Sequence, residues 1–403
     1  MQRRAFLNGL IGCSVAASPL MTPISLAAAP TDNRLVVIIL RGAMDGLDVV
    51  RPVGDPAYRA LRPDLASAGT PIDLDGYFAL HPALNRLEPL WRAGELSFAH
   101  AVSTPYRDGR SHFDGQDLLE AGGTRLDGGV RDGWLNRLLQ VTPGTTQETA
   151  YSVGQNEMMV LRGQSPFSRW SPEVRLRISE ATESLLRVVQ EGDPLVAAAS
   201  AQAIRIATSV EAAEARMADM AETDPDLMAM QTEMEALPNN FGVAVAQFAA
   251  QRLREETRIA SFSINGWDTH ARQARALPRT LKDLSDAILA LRAGLGPDWS
   301  RTAVLCMTEF GRTAAQNGTG GTDHGTGGAM IFAGGALARS QVVTDWPGLA
   351  EADLYARRDL MPTRDVRAHA AWAMARLFGT SRTDLEGTVF PGLEMGSDPG
   401  LFG

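Results

Sequence analysis

The chain has 403 residues and a formal net charge of −9, with a pI near 5.3. Hydrophobic residues are 44% and charged residues 21%, which supports a large folded core and excludes a disordered chain. The acidic balance, without a basic stripe, argues against nucleic acid as partner, and two cysteines, Cys13 and Cys306, exclude a disulfide framework.

Residues 1–29 read as an address. Arg3-Arg4 precede Phe6, Leu7 and a moderately apolar stretch that ends in alanines. The RRAFL run resembles a twin-arginine export signal, with cleavage expected after Ala27 or Ala29. Gly12, Ser14, Ser18 and Pro19 interrupt the apolar stretch and make it a poor permanent membrane span. Two alternatives stay open: an amphipathic N-terminal helix, and a lipoprotein box at Leu10–Cys13. Export would engage the twin-arginine translocase and place the chain in the periplasm or outside the cell. Removal of this segment takes away two cations and no acid.

Beyond it the chain alternates strands and helices. Arg34–Leu40 is a continuous apolar run, the pattern of a strand buried on both faces. A helix is predicted over His81–Arg92, with Pro82 in its first turn. Leu96–Val102 reads as a second strand. From Pro172 to Glu255 no strand is legible, and helical stretches suggest a cap inserted into one domain spanning 30–403. Strands follow at Ile259–Ile264, Thr302–Met307 and Ala329–Ala333. A helix through Leu281, Leu284, Ile288 and Leu291 and a last helix at Arg364–Phe378 complete the pattern. This order predicts an α/β fold with a mainly parallel central sheet flanked by helices.

In such sheets, sites form beyond the carboxyl ends of strands, and the polar residues collect there. Arg41, Asp45 and Asp48 follow the first strand. Arg110, Ser111, His112, Phe113 and Asp114 follow the second and open a helix. Asp268 and His270 follow the third; Thr308, Glu309 and Arg312 follow the fourth. A glycine-rich loop, Gly318–Gly328, carries Asp323 and His324, and lacks the Gly-Lys-Ser/Thr ending of a phosphate-binding loop. Each aspartate alone is explained by turn formation or helix capping. Jointly, His112, His270 and His324 beside carboxylates suit a divalent ion: zinc, manganese, magnesium or calcium. His81, His100 and His369 read as structural. Met217, Met220, Met228, Met230 and Met234 have spacings that could bind Cu(I), although helical packing is the simpler account. Cys306 reads as a small core residue. Lys282 is the only lysine, so arginine, backbone or metal must hold any bound anion.

The stretches LRGAMDGLD, DLDGYFALHPAL, RSHFDGQDLLE, DGWLNRLL, FSINGWDTH, MTEFGRT and GGTDHGTGGAMIFAGG, followed by RDLMPTRDVRA and VFPGL, occur in this order. With them the chain resembles the bacterial family catalogued as domain of unknown function 1501, which looks like a divergent branch of the alkaline phosphatase and sulfatase superfamily. The resemblance implies an alkaline-phosphatase-like sheet and one or two metal ions at strand ends. It implies Asp45, Asp268, His270 and His324 as ligands, and Glu309 is expected to join them, with Asp323 in or beside the set. Ser111 would be the nucleophile, His112 an acid or base, and Arg110 or Arg312 the fork holding the anionic oxygens of a small phosphate or sulfate ester. Where the superfamily has adjacent Asp-His, this chain has Glu309-Phe310. A second reading is therefore kept: a catalytically inactive exported protein of the same fold that assembles with another exported protein.

Overall fold

The computed structural model describes residues 31–107, 109–126, 129–154, 158–171 and 240–403. The export-signal reading of 1–29 and the methionine spacings at 217–234 lie outside the described residues.

A nine-stranded sheet forms the middle layer. Its strands are β1 (Arg34–Arg41), β2 (Leu96–Ser103), β3 (Ala150–Val153), β4 (Ser168–Trp170), β5 (Ile259–Asn265), β6 (Thr302–Met307), β7 (Gly328–Ala333), β8 (Val342–Val343) and β9 (Arg364–Asp365). The order is β8-β2-β7-β6-β1-β5-β3-β4, with β9 paired to β2. β1 lies parallel between β5 and β6. β7 alone runs against the rest, antiparallel to β2 and β6. The expectation of a mixed α/β protein with a mostly parallel sheet holds.

The central strand shows why two helical layers are needed. Val36, Ile38 and Leu40 of β1 enter one apolar core, and Leu35, Val37 and Ile39 enter the other. Alternate side chains leave opposite faces of a strand, so an all-apolar run must be covered on both sides. One face is covered by α3 (Phe241–Leu253) and α4 (Gln273–Leu295), the other by α2 (Trp134–Val141) and α5 (Val366–Phe378). α1 (His112–Ala121) follows β2. Among the described residues, no helix is long and apolar enough to cross a membrane.

Two predicted elements differ in detail. Residues 82–93 form a 3-10 segment, Pro82–Leu87, and then a short α-helix, Glu88–Ala93. Pro89 has no N–H to donate, so an uninterrupted helix loses a bond there. The expected cap at 172–255 is trimmed at its end: α3 packs into the core beside α4, and 172–239 lie outside the described residues. Helical stretches are legible between Pro172 and Glu255, but periodicity alone does not say which layer a helix joins.

Candidate functional site

The topology gathers the polar loops. β1, β2, β5 and β6 deliver their carboxyl ends to one edge of the sheet, and the antiparallel β7 begins at that same edge. The loops after β1, β2, β5 and β6 and the loop before β7 therefore meet. They meet closely: a Cβ on Gly42 would stand 2.6 Å from the Asp268 backbone nitrogen, and one on Gly321 would stand 2.4 Å from the Thr269 carbonyl oxygen. Gly42 also takes a φ of +118°, a conformation side chains disfavour.

Three histidines and one aspartate converge at this edge. Nε2 atoms of His270, His112 and His324 lie 3.1, 3.6 and 3.8 Å from Asp268 Oδ1. Nε2 of His270 and His324 are 3.0 Å apart. Donor atoms of His112, Asp268 and His324 all fall within 4.8 Å of one another. A tetrahedral ion with bonds of about 2.0–2.1 Å needs donor atoms roughly 3.3 Å apart. The observed separations bracket that value.

Each imidazole is fixed through its other nitrogen. His112 Nδ1 faces Glu309 Oε1 at 2.8 Å, His270 Nδ1 faces Asp323 Oδ1 at 3.0 Å, and His324 Nδ1 faces the Arg110 carbonyl at 2.8 Å. Phe310 packs on the rings of His112 and His324, with centroids 5.2 and 5.1 Å away. His112 Nε2 is buried without a hydrogen-bond partner. The hydrogen bond to Glu309 raises the His112 pKa, while burial lowers that of His324. Burial of Glu309 favours its neutral form, but bonds from His112, Gln116 and backbone amides outweigh it and leave the carboxyl below its usual range. Asp323 is held low by the His270 bond. At Asp268, partial burial pulls upward, and the Arg312 bond and charge, with His270 and His112, bring the carboxyl below its usual range.

These contacts bring together some of the residues expected as ligands and hold others apart. Asp268, His270 and His324 come together as expected. His112, expected as an acid or base, stands with them. Glu309 is fully buried and orients His112, with Oε1 also accepting from Gly42 N and Gln116 Nε2 and Oε2 from Thr308 Oγ1. Asp323 orients His270. Asp45 is drawn into a buried ion pair with Arg62 at 2.7 Å and accepts from Gln273 Nε2 at 2.6 Å. Arg312 is no open fork for an anion. It is buried and donates to the carbonyls of Gly42, Ala43, Thr322 and Trp267 and to Asp268 Oδ1. Ser111 Oγ caps α1, accepting from Asp114 N at 3.3 Å. Arg110 contributes its carbonyl to His324 through a strained backbone, φ +51°.

Gln273 was missed in the sequence. Its Nε2 bridges Asp45 and Asp48, and its Oε1 accepts from Thr269 and Thr322, each next to a cluster residue in sequence. A glutamine in a helical first turn carries no signal for such a role.

The fold and cluster define a mixed α/β protein with a histidine–carboxylate centre at the carboxyl edge of its sheet. The chain belongs to the family described as "Protein of unknown function (DUF1501)", whose model matches residues 94–389. No curated protein and no solved structure matches it.

Proposed function

We propose that this protein is an exported, metal-dependent hydrolase of small anionic esters, phosphate or sulfate, on an alkaline-phosphatase-like fold. The carrying observation is the 3.0 Å approach of His270 Nε2 to His324 Nε2. The Arg110 carbonyl can only accept, so His324 Nδ1 holds the hydrogen. Asp323, kept low in pKa, also only accepts, so His270 Nδ1 holds one too. In the neutral rings both Nε2 atoms then present lone pairs to each other, with the Asp268 carboxylate beside them. A shared cation relieves that repulsion.

The residues fit a divalent ion. His112, His270, His324 and Asp268 would hold it, and the outer bonds to Glu309, Asp323 and the Arg110 carbonyl would orient the rings. Three imidazoles with one carboxylate favour zinc or manganese over magnesium or calcium. Such an ion supplies Lewis acidity toward an ester oxygen. Arg312 holds Asp268 in place, and its buried charge keeps that carboxylate ionised. Ser111, adjacent to His112, is the nucleophile in this reading. The polar edge of a mainly parallel sheet supports the alkaline-phosphatase relation, and the RRAFL start supports export through the twin-arginine pathway.

Metal analysis of the purified full chain tests the proposal, joined to assays on aryl phosphates and aryl sulfates. Bound zinc or manganese is expected, lost in Asp268→Asn and His270→Ala together with turnover. Absence of bound metal and of turnover across added zinc, manganese, magnesium and calcium overturns it.

A further inference from the structure

Against Phe310 lies a small cleft of about 30 Å³. By volume it takes roughly two water-sized centres or the end of a small oxyanion. Its charged lining residues are Arg110, Arg358 and Asp359. Arg358 donates to Asp359 Oδ1 at 2.9 Å and to the His324 carbonyl, and Thr326 donates to Asp359 Oδ2 at 2.9 Å. Asp359 thus faces two guanidinium charges, Arg358 bonded to it and Arg110 acting on it through space, so one positive charge is in excess among these three residues. The Arg110 side chain has no hydrogen-bond or ion-pair partner among the described residues.

The backbone around the cleft is tightly held. Arg110, Ala356 and Arg357 all take positive φ, between +50° and +56°. Non-glycine residues in this region are uncommon, and such strain gathers at ligand sites. Here it places a guanidinium that makes no hydrogen bond in the same cleft as Arg358, with Phe310 between the cleft and the histidine cluster. Phe310 touches His112 and His324 on one side and Tyr106 at a centroid distance of 5.9 Å.

We propose that Arg110 and Arg358 form an anion subsite for a second negatively charged group of the substrate, a carboxylate or sulfate-like oxyanion separate from the ester that reacts at the histidines. What the subsite serves rests on the hydrolase reading above; its binding of an anion does not. The substrate class is then an ester bearing two anionic groups, spaced across Phe310. Arginine suits this role because its planar fork can offer two parallel hydrogen bonds to one oxyanion.

The test is calorimetric titration of the full chain with sodium sulfate, after metal removal by chelator and again with zinc restored. Arg110→Gln is the variant of choice, since it breaks no hydrogen bond and leaves Arg358 and Thr326 on Asp359. Expected is sulfate binding in the metal-free protein, weakened about tenfold by Arg110→Gln and unchanged by His270→Ala. Arg110→Lys is expected to recover part of the affinity. Sulfate binding that needs zinc, that Arg110→Gln leaves unchanged, or that is absent overturns the subsite. Should the protein bind no metal yet show the Arg110-dependent affinity, the hydrolase reading fails and the subsite stands.

Discussion

Glu309 Oε1 accepts from His112 Nδ1 at 2.8 Å while His112 Nε2, buried and unpartnered, faces Asp268. An ionised carboxylate only accepts, so a hydrogen sits on Nδ1, and in the neutral ring the Nε2 lone pair points into the cluster. Glu309→Gln keeps the shape and removes the charge that sets this tautomer. Losses of 10–100-fold in metal affinity are typical when such an outer partner is changed. A chelator-competition titration of Glu309→Gln is expected to show zinc affinity reduced on the order of tenfold or more, with little change in the fold by circular dichroism. Unchanged affinity would mean His112 is not a ligand.

Ser111 separates two roles that a simple alanine change would confuse. Its hydroxyl caps α1, and losing a cap costs about 1 kcal/mol. Asparagine caps as well as serine but offers no hydroxyl nucleophile. Ser111→Asn is therefore expected to keep thermal stability and metal content while ester turnover falls at least 100-fold. Retained turnover would show that the nucleophile is not Ser111.

Arg312 looked from the sequence like an anion fork, and the structure turns it into a tie between loops. Every nitrogen of its guanidinium donates, to carbonyls in three different segments and to Asp268. Lysine cannot reproduce a planar fork. Arg312→Lys is expected to cost about 3 kcal/mol in urea unfolding, because the carbonyls and Asp268 lose their donors. A variant that unfolds like the parent yet binds anions poorly would restore the fork reading.

The family resemblance implies Asp45 as a ligand. Its Oδ2 is shared by Arg62 and Gln273, and Gln273 ties it to Thr269 and Thr322, while Oδ1 is buried without a partner. Breaking a buried ion pair typically costs about 3–5 kcal/mol. Asp45→Asn should accordingly lower the urea midpoint while the folded fraction keeps its metal, whereas Asp268→Asn should lose metal with a smaller change in stability. Loss of metal from folded Asp45→Asn would return Asp45 to the ligand set.

The two outcomes for aspartate show what a sequence can and cannot carry. Strand runs such as Arg34–Leu40 are legible because burial on both faces leaves only apolar residues. The loops holding Asp268, His270 and His324 are legible because polar residues after a buried strand stand at the sheet's edge. Arg62 and Gln273 were not, since each reaches Asp45 from an element whose local pattern is ordinary. Glu309 is legible as chemically important, but its bond to His112 is not: the difference between facing an ion and facing a histidine is a matter of direction, and spacing does not encode direction.

Acid sensitivity follows from three histidines outside the cluster. Burial lowers the pKa of His81 to about 3, of His100 to about 4 and of His369 to about 3. Their contacts agree: His81 Nδ1 accepts from Ala83 N, His100 Nδ1 accepts from Ala101 N, and His369 Nδ1 is buried without a partner. In the unfolded chain each titrates near 6.5. Below that value the unfolded state takes up protons that the folded state refuses, so stability is full above about pH 6.5 and drains away toward pH 4. The slope is at most about 1.4 kcal/mol per pH unit for each histidine. Urea midpoints measured from pH 7 to 4.5 should fall steadily, and His369→Leu, which removes one titrating group from an apolar site beside Phe332, should flatten the fall by about a third. A midpoint flat over this range would show that these rings take up protons in the folded protein.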